Sequence, residues 1–157
     1  MKDSELPAIQ QLRELAIPHQ LFVHAGPVRS LEQAAAERGQ RPEQVVRSLL
    51  IRLNQSDYAL VLVAGPQQIP WKTLRRELGQ RRLTLASEEE VLAQSGYQLG
   101  AVTPFGLPHP IPIYIEASVL QHKQLSLGSG RRGSAILIDS ADLATALPSA
   151  QFVTLFA

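Results

Sequence analysis

Strands and helices that interleave without a strict βαβ period predict an α+β domain built on a mixed sheet. Three observations carry that expectation. Two aliphatic runs, Arg47–Leu53 and Tyr58–Ala64, read as a hairpin. Two capping boxes open helices at Ser30 and Ser87. Two glycine-rich loops separate further strand-like runs. At 157 residues the chain fits one domain, expected over residues 1–157, large enough for folding to bury roughly two thirds of the unfolded surface.

Each element has its own signal. Leu6, Ile9, Leu12 and Leu15 recur at helical spacing from near Asp3 or Ser4, with Pro7 tolerated in the first turn, and the helix ends before Pro18. His19 to His24 reads as a short strand, punctuated by Gly26-Pro27. Ser30-x-x-Gln33 opens a helix through Ala34–Ala36 that Gly39 closes, and Pro42 starts a short helical turn. After the hairpin, Pro70 starts a helix through Trp71, Leu74 and Leu78, closed by Gly79, with Trp71 expected to pack. Leu83–Leu85 makes a short strand, and Ser87-x-x-Glu90 caps a helix that Gly96 stops. Ile111–Glu116 reads as a strand that Pro112 places at an edge or bulge. Gln124–Leu127 and Ser134–Ile138 flank a glycine loop, a helix runs from Asp139 or Ser140 to Leu147, and Gln151–Phe156 adds a last strand. The stretch after Pro148 is the one expected tail.

Composition excludes several classes. With no cysteine there is no thiol catalysis, zinc thiolate site or disulfide, which is compatible with a reducing compartment. The start MKDSELPAIQQ has no apolar core of a leader, and no run approaches eighteen apolar residues, so a cytoplasmic protein without a membrane partner is expected. A net charge of +1, from fifteen basic and fourteen acidic residues, lacks the footprint of a general DNA binder. Basic residues cluster locally, at Arg75, Arg76, Arg81 and Arg82 and at Arg131 and Arg132, where guanidinium forks suit phosphate. A solvated helix face and a turn explain them equally well.

The stretch Gly96–Pro112 is the candidate centre. Glycine permits close approach to the main chain and proline fixes φ, so Gly100-x-x-x-Pro104 presets the backbone of Ala101, Val102 and Thr103. The second loop, Gly128-Ser129-Gly130-Arg131-Arg132-Gly133, is expected to form the opposite wall of the same pocket; two ordinary hairpin turns are the alternative. Strand parity puts Arg47 on one face with Leu49, Ile51 and Leu53, a charge at the lip of the core, unless it precedes the strand and snorkels into solvent.

Catalytic templates fail one by one. Gly128 to Gly133 has G-x-G-x-x-G spacing but precedes a strand, so it is no nucleotide loop. His19, His24, His109 and His122 have no metal-ligand spacing, and there is no Gly-x-Ser-x-Gly elbow. Glu88 to Glu90 lie in a helix first turn, where the macrodipole accounts for them. Chemistry, if present, must rest on backbone groups, positioning and the substrate's own groups.

The order of blocks PEQVVRSLLIRL, YALVLVAG, LRRELGQRRLTLASEEEVLAQSGYQLGAVTPFGLP, IPIYIEASVL and LSLGSGRRGSAILIDSADL resembles the YbaK-type aminoacyl-tRNA deacylases, which include the editing domain of bacterial prolyl-tRNA synthetases and free-standing relatives. The resemblance covers roughly Val23 to Leu147. It implies a curved, barrel-like mixed sheet flanked by helices, and an ester hydrolase acting in trans on tRNA for proline mischarged with alanine or cysteine. It implies no cofactor or metal, with a tRNA ribose hydroxyl helping to activate or position water. The partner would be the aminoacylated end of tRNA, with a synthetase as a second candidate partner. By resemblance, Gly100 to Pro104 hold the ester and terminal adenosine, Gly128, Ser129 and Gly130 form the facing wall, and Ser30 and Leu31 lie near the amino-acid side chain; acceptor-stem phosphates are expected to meet Arg47, Arg131 and Arg75. Arg47 stands where the family usually has a lysine, and Ser134-Ala135 where some relatives have a histidine. A binding module that kept the fold and lost turnover is the alternative that Arg47 raises.

Overall fold

The computed structural model describes residues 2–156; Met1 and Ala157 lie outside the described residues. A 3-10 turn at Asp3–Glu5 precedes helix α1 (Pro7–Glu14), where Pro7 occupies the first helical position and loses no bond there. The capping box at Ser30 is modified. Ser30 Oγ accepts from the Gln33 N–H at 3.0 Å, while the Gln33 side chain reaches past the cap to the Arg29 N–H. Helix α2 (Leu31–Glu37) follows, and Gly39 leaves it with φ +68°. Helices α3 (Trp71–Leu78) and α4 (Glu88–Ser95) end on Gly79 and Gly96 in the left-handed region, and α5 (Ser140–Ala146) follows Asp139.

The strands form a three-stranded and a five-stranded sheet, the mixed α+β architecture expected, with no closed barrel among the described residues. Strands β1 (Gln20–Val23), β7 (Ser134–Asp139) and β6 (Gln124–Gly128) pair antiparallel in that order. In the larger sheet, β2 (Val46–Arg52) and β3 (Tyr58–Ala64) make the expected hairpin, with Arg47 opposite Val63. Strand β4 (Thr84–Leu85) extends β2, while β5 (Ile113–Glu116) and β8 (Gln151–Val153) add to β3 in parallel. A single parallel bridge, Val45 to Ser126, joins the sheets.

Strand alternation then sorts the side chains. Val46, Leu50, Leu60 and Leu62 face the main core with Phe105, Leu125 and Ile136. Ile51, Val61 and Val63 face the other way, against Leu74 and Trp71 of α3, so the tryptophan packs as expected. Two expectations are corrected. Pro112 marks no edge: it lies just before β5, its carbonyl accepts from the Leu60 N–H at 2.8 Å, and β5 is flanked on both sides. The stretch after Pro148 is no tail, because β8 pairs with β5 and the chain beyond is gripped by Glu116.

Glu116 is only 1 % exposed. Its Oε2 accepts the Leu155 N–H at 2.9 Å, and its Oε1 accepts the Ser118 N–H at 2.9 Å and the Ser118 hydroxyl. Burial alone would raise its pKa, but the bonds from Ser118, Leu155 and Phe156 favour the carboxylate and hold it below the ordinary value. A depressed folded pKa contributes stability that is present above the unfolded value and is lost as pH falls through the folded one. Urea unfolding should therefore show Glu116→Gln less stable than the parent by about 1–3 kcal/mol at pH 7. The difference should shrink below about pH 4, where the carboxyl of the unfolded chain is protonated.

Candidate active site

The two glycine loops meet as the sequence leads one to expect. Gly130 N–H donates to the Ala101 carbonyl at 2.9 Å, and Arg132 Nε and Nη2 donate to the Leu99 carbonyl at 3.1 and 2.9 Å. Gly128 is a matter of space: a Cβ there would lie 2.2 Å from the Val102 oxygen and 3.0 Å from that of Ala101. Gly130 lies over the ring of Tyr97, whose hydroxyl donates to the Phe105 carbonyl at 2.5 Å. Burial pushes the Tyr97 pKa up to about 12, so the phenol keeps its proton and the clasp persists at any physiological pH.

Between the loops, the start of β2 and helix α2 lies a cavity of about 400 Å³. Of the residues singled out in the sequence, Ser30, Leu31, Arg47, Gly100, Val102 and Gly128 line it. The others lie elsewhere. Pro104 borders a different cavity of about 760 Å³, with Leu107, Pro108 and Pro148. Ala101 and Thr103 are buried within their loop, the former clasping Gly130. Ser129 is fully buried behind the glycine loop, its hydroxyl 2.7 Å from that of Ser134 and accepting from the Arg131 N–H at 3.1 Å. Arg131 reaches back to Asp3 of the amino-terminal turn at 2.5 Å.

Arg47 lies within β2 rather than before it, and its bonds add a role that strand parity does not reveal. It is half-buried at the cavity wall, yet its Nε donates to the Gly65 carbonyl at 2.7 Å and its Nη2 to the Gln67 carbonyl at 2.5 Å. Its guanidinium therefore braces the loop after β3, leaving Nη1 without a protein acceptor among the described residues. Burial lowers its pKa from a value high enough that the charge remains. Beside it, the Ser48 hydroxyl is enclosed and unpartnered at the same wall.

Arg38 and Ser134 also line this cavity and were not among the residues read as site candidates. Arg38 had a signal: Leu31, Ala34 and Arg38 stand at i, i+3 and i+7, which puts an arginine on the buried face of α2. Its Nε donates to His24 Nε2 at 3.1 Å and its Nη1 to Ser126 Oγ at 3.0 Å. Ser126 Oγ in turn donates to Gln40 Oε1 at 2.6 Å. Because His24 Nε2 accepts, its ring proton sits on Nδ1, which donates to Glu37 Oε1 at 2.7 Å. That bond, first among its causes, holds the Glu37 carboxyl below its ordinary pKa. His24, which sequence spacing gave no role, thus aims Arg38.

The chain is similar to proteins of one kind. The model of the aminoacyl-tRNA editing domain matches residues 25–146. The YwhH protein of Bacillus subtilis (strain 168), whose function is uncharacterized, is 32% identical over 114 residues, 73% of this chain and 72% of that protein. The prolyl-tRNA editing protein ProX of Acetoanaerobium sticklandii is 30% identical over 106 residues, 67% of this chain and 64% of that protein. A proline–tRNA ligase of Kosmotoga olearia is 28% identical over 133 residues, 85% of this chain but only 22% of the ligase, so the chain spans about a fifth of that enzyme. Among solved structures, a candidate trans-editing enzyme for prolyl-tRNA synthetase superposes with a TM-score of 0.80 at 25% identity, covering 88% of this chain and 87% of that one. With the family model spanning well over half of its length, and the block order of YbaK-type proteins along it, this chain belongs to the aminoacyl-tRNA editing domain family.

Proposed function

We propose that the protein is a free-standing trans-editing hydrolase that removes a small, wrongly attached amino acid from tRNA for proline, alanine and cysteine being the substrates the family resemblance implies. The observation that carries this reading is the cavity between the clasped loops, lined by Gly100, Val102 and Gly128 on one side and by Leu31 of α2 on the other. Its backbone is preorganised, which suits stabilisation of an ester oxyanion. In the reaction, water attacks the ester carbonyl, the bond to the ribose oxygen breaks, and the amino acid and free tRNA leave. No side chain of the cavity is an obvious general base, which supports a part for the neighbouring ribose hydroxyl in positioning the water. Small apolar contacts at Leu31 and Ala34 would exclude the correct prolyl ester by size.

Phosphates of the acceptor end would meet Nη1 of the Arg47 guanidinium and the exposed Lys72 and Arg76 of α3, the helix that follows the Arg47-braced loop. Arg131, held by Asp3, is the weaker candidate. A cytoplasmic location and a synthetase partner fit this reading. Among the described residues no helix is long and apolar enough to cross a membrane.

A second reading has an observation of its own. With two of its donors on backbone carbonyls, Arg47 is a brace first, and the domain could hold tRNA ends without turnover.

Deacylation of alanyl-, cysteinyl-, seryl- and prolyl-tRNA for proline, with chelator present, separates the two. The editing reading predicts hydrolysis of a small amino acid, a stable prolyl ester, and a rate that drops about 10–100-fold in Arg47→Ala. Survival of every ester at the buffer rate, together with activity in Arg47→Lys, would establish the binding reading instead. Rates at limiting tRNA should fall steeply between 50 and 200 mM salt, roughly as the number of phosphate contacts dictates. Gly128→Ala supplies an independent check. Its methyl must displace the Val102 carbonyl, so activity should fall about 100-fold or more while the circular-dichroism spectrum is retained.

A further inference from the structure

We infer that Arg38 is the residue by which this cavity selects its amino acid, favouring a small side chain that ends in an oxygen acceptor, of the serine type, over a purely aliphatic one. The inference rests on the editing reading above and narrows its substrate class.

Arg38 is not a surface arginine that happens to lie nearby. It projects from the buried face of α2 beside Ala34 and is half-buried at the cavity wall. Two of its nitrogens are fixed on groups that are themselves buried: His24 is 8 % exposed and Ser126 is fully enclosed. His24 is locked in turn by Glu37, and Ser126 by Gln40, so the guanidinium has one orientation. Nη2 has no protein acceptor among the described residues, and it is not among the polar atoms that the protein encloses. Arg38 lines the cavity, and Nη2 is the one guanidinium nitrogen left without a protein acceptor among the described residues, so it is the donor available to a ligand there.

Leu31, Ala34, Val45 and Leu127 surround it with apolar wall. A ligand that fills this space takes Nη2 out of solvent. If its side chain is a methyl group, the guanidinium loses a hydrogen bond and receives nothing; if it carries an oxygen, a charge-assisted bond takes its place. Sites that lose a buried hydrogen bond to the wrong substrate discriminate more strongly than sites that merely lose a methylene. Arg47 has two of its donors, Nε and Nη2, committed to the Gly65 and Gln67 carbonyls, and its remaining Nη1 is the one assigned above to phosphate.

The test pairs catalysis with binding, so that the two readings fail separately. Seryl- and alanyl-tRNA for proline are compared as kcat/KM with the parent, Arg38→Leu and Arg38→Lys. In parallel, 3′-seryl-amido and 3′-alanyl-amido adenosine, which resist hydrolysis, are titrated into the same three proteins by calorimetry. The inference predicts a seryl preference of about tenfold or more in the parent, abolished or reversed in Arg38→Leu and partly restored in Arg38→Lys, in both measurements. If neither ester is hydrolysed but the seryl amide binds with that preference, the editing reading fails and the role of Arg38 stands. A seryl-to-alanyl ratio unchanged by Arg38→Leu overturns the inference, and so does an absence of binding and hydrolysis for both ligands. Should Arg38→Leu fold poorly, His24→Phe, which leaves Arg38 in place but unaimed, must lower the same ratio.

Discussion

The closest backbone approach at the site is that of Gly128 to the carbonyls of Ala101 and Val102, where no side-chain atom fits between the two loops. Everything that makes a cavity here depends on it. The approach sets the distance between the glycine loop and the Gly100 segment, and three hydrogen bonds then hold it, from Gly130 and Arg132 to the Ala101 and Leu99 carbonyls. Tyr97, kept protonated by burial, clasps the far end of the same loop at Phe105. Preorganisation of this kind costs nothing at the moment of reaction.

The sheets explain why the opening lies where it does. They are joined at the Val45 to Ser126 bridge, and the cavity lies beside that joint, lined by Val46 to Leu49 of β2 and by Leu127 and Gly128 of β6. Helix α2 roofs that cavity with Leu31 and Ala34, and Arg38 fastens it to β6 through Ser126. The same half-buried guanidinium is thereby a structural tie and a group presented to a ligand. Its charge is tolerable because the guanidinium is only half-buried and two of its nitrogens have hydrogen-bond partners.

Much of this was legible in the sequence, for physical reasons that differ by element. The hairpin, the capping box at Ser87 and the closing glycines Gly39, Gly79 and Gly96 are local devices, and local rules identify them. The pairing of the glycine loops was legible only as one of two alternatives, since Gly/Pro-rich loops on a rigid scaffold suit a shared pocket as well as ordinary turns. The parallel additions of β5 and β8 were not, since they depend on which non-local strand wins; Pro112, read as an edge marker, sits one residue outside the strand. In the site, residue type placed Arg47 at the wall but could not reveal that the Gly65 and Gln67 carbonyls would take its donors. Pro104 fell in the right motif but borders another cavity. His24 was passed over because its role needs Arg38 and Glu37, which helix α2 brings to it across the fold.

We infer that the ligand's aminoacyl end enters the cavity between Gly100 and Gly128. Amide chemical shifts of the labelled protein, followed while a non-hydrolysable aminoacyl-amido adenosine is added, test this most directly. Entry at that cavity puts the largest changes on Gly100, Val102, Gly128 and the first turn of α2 at Leu31. Changes centred instead on Leu107, Ile111 and Ala150, around the larger proline-lined cavity, would contradict it.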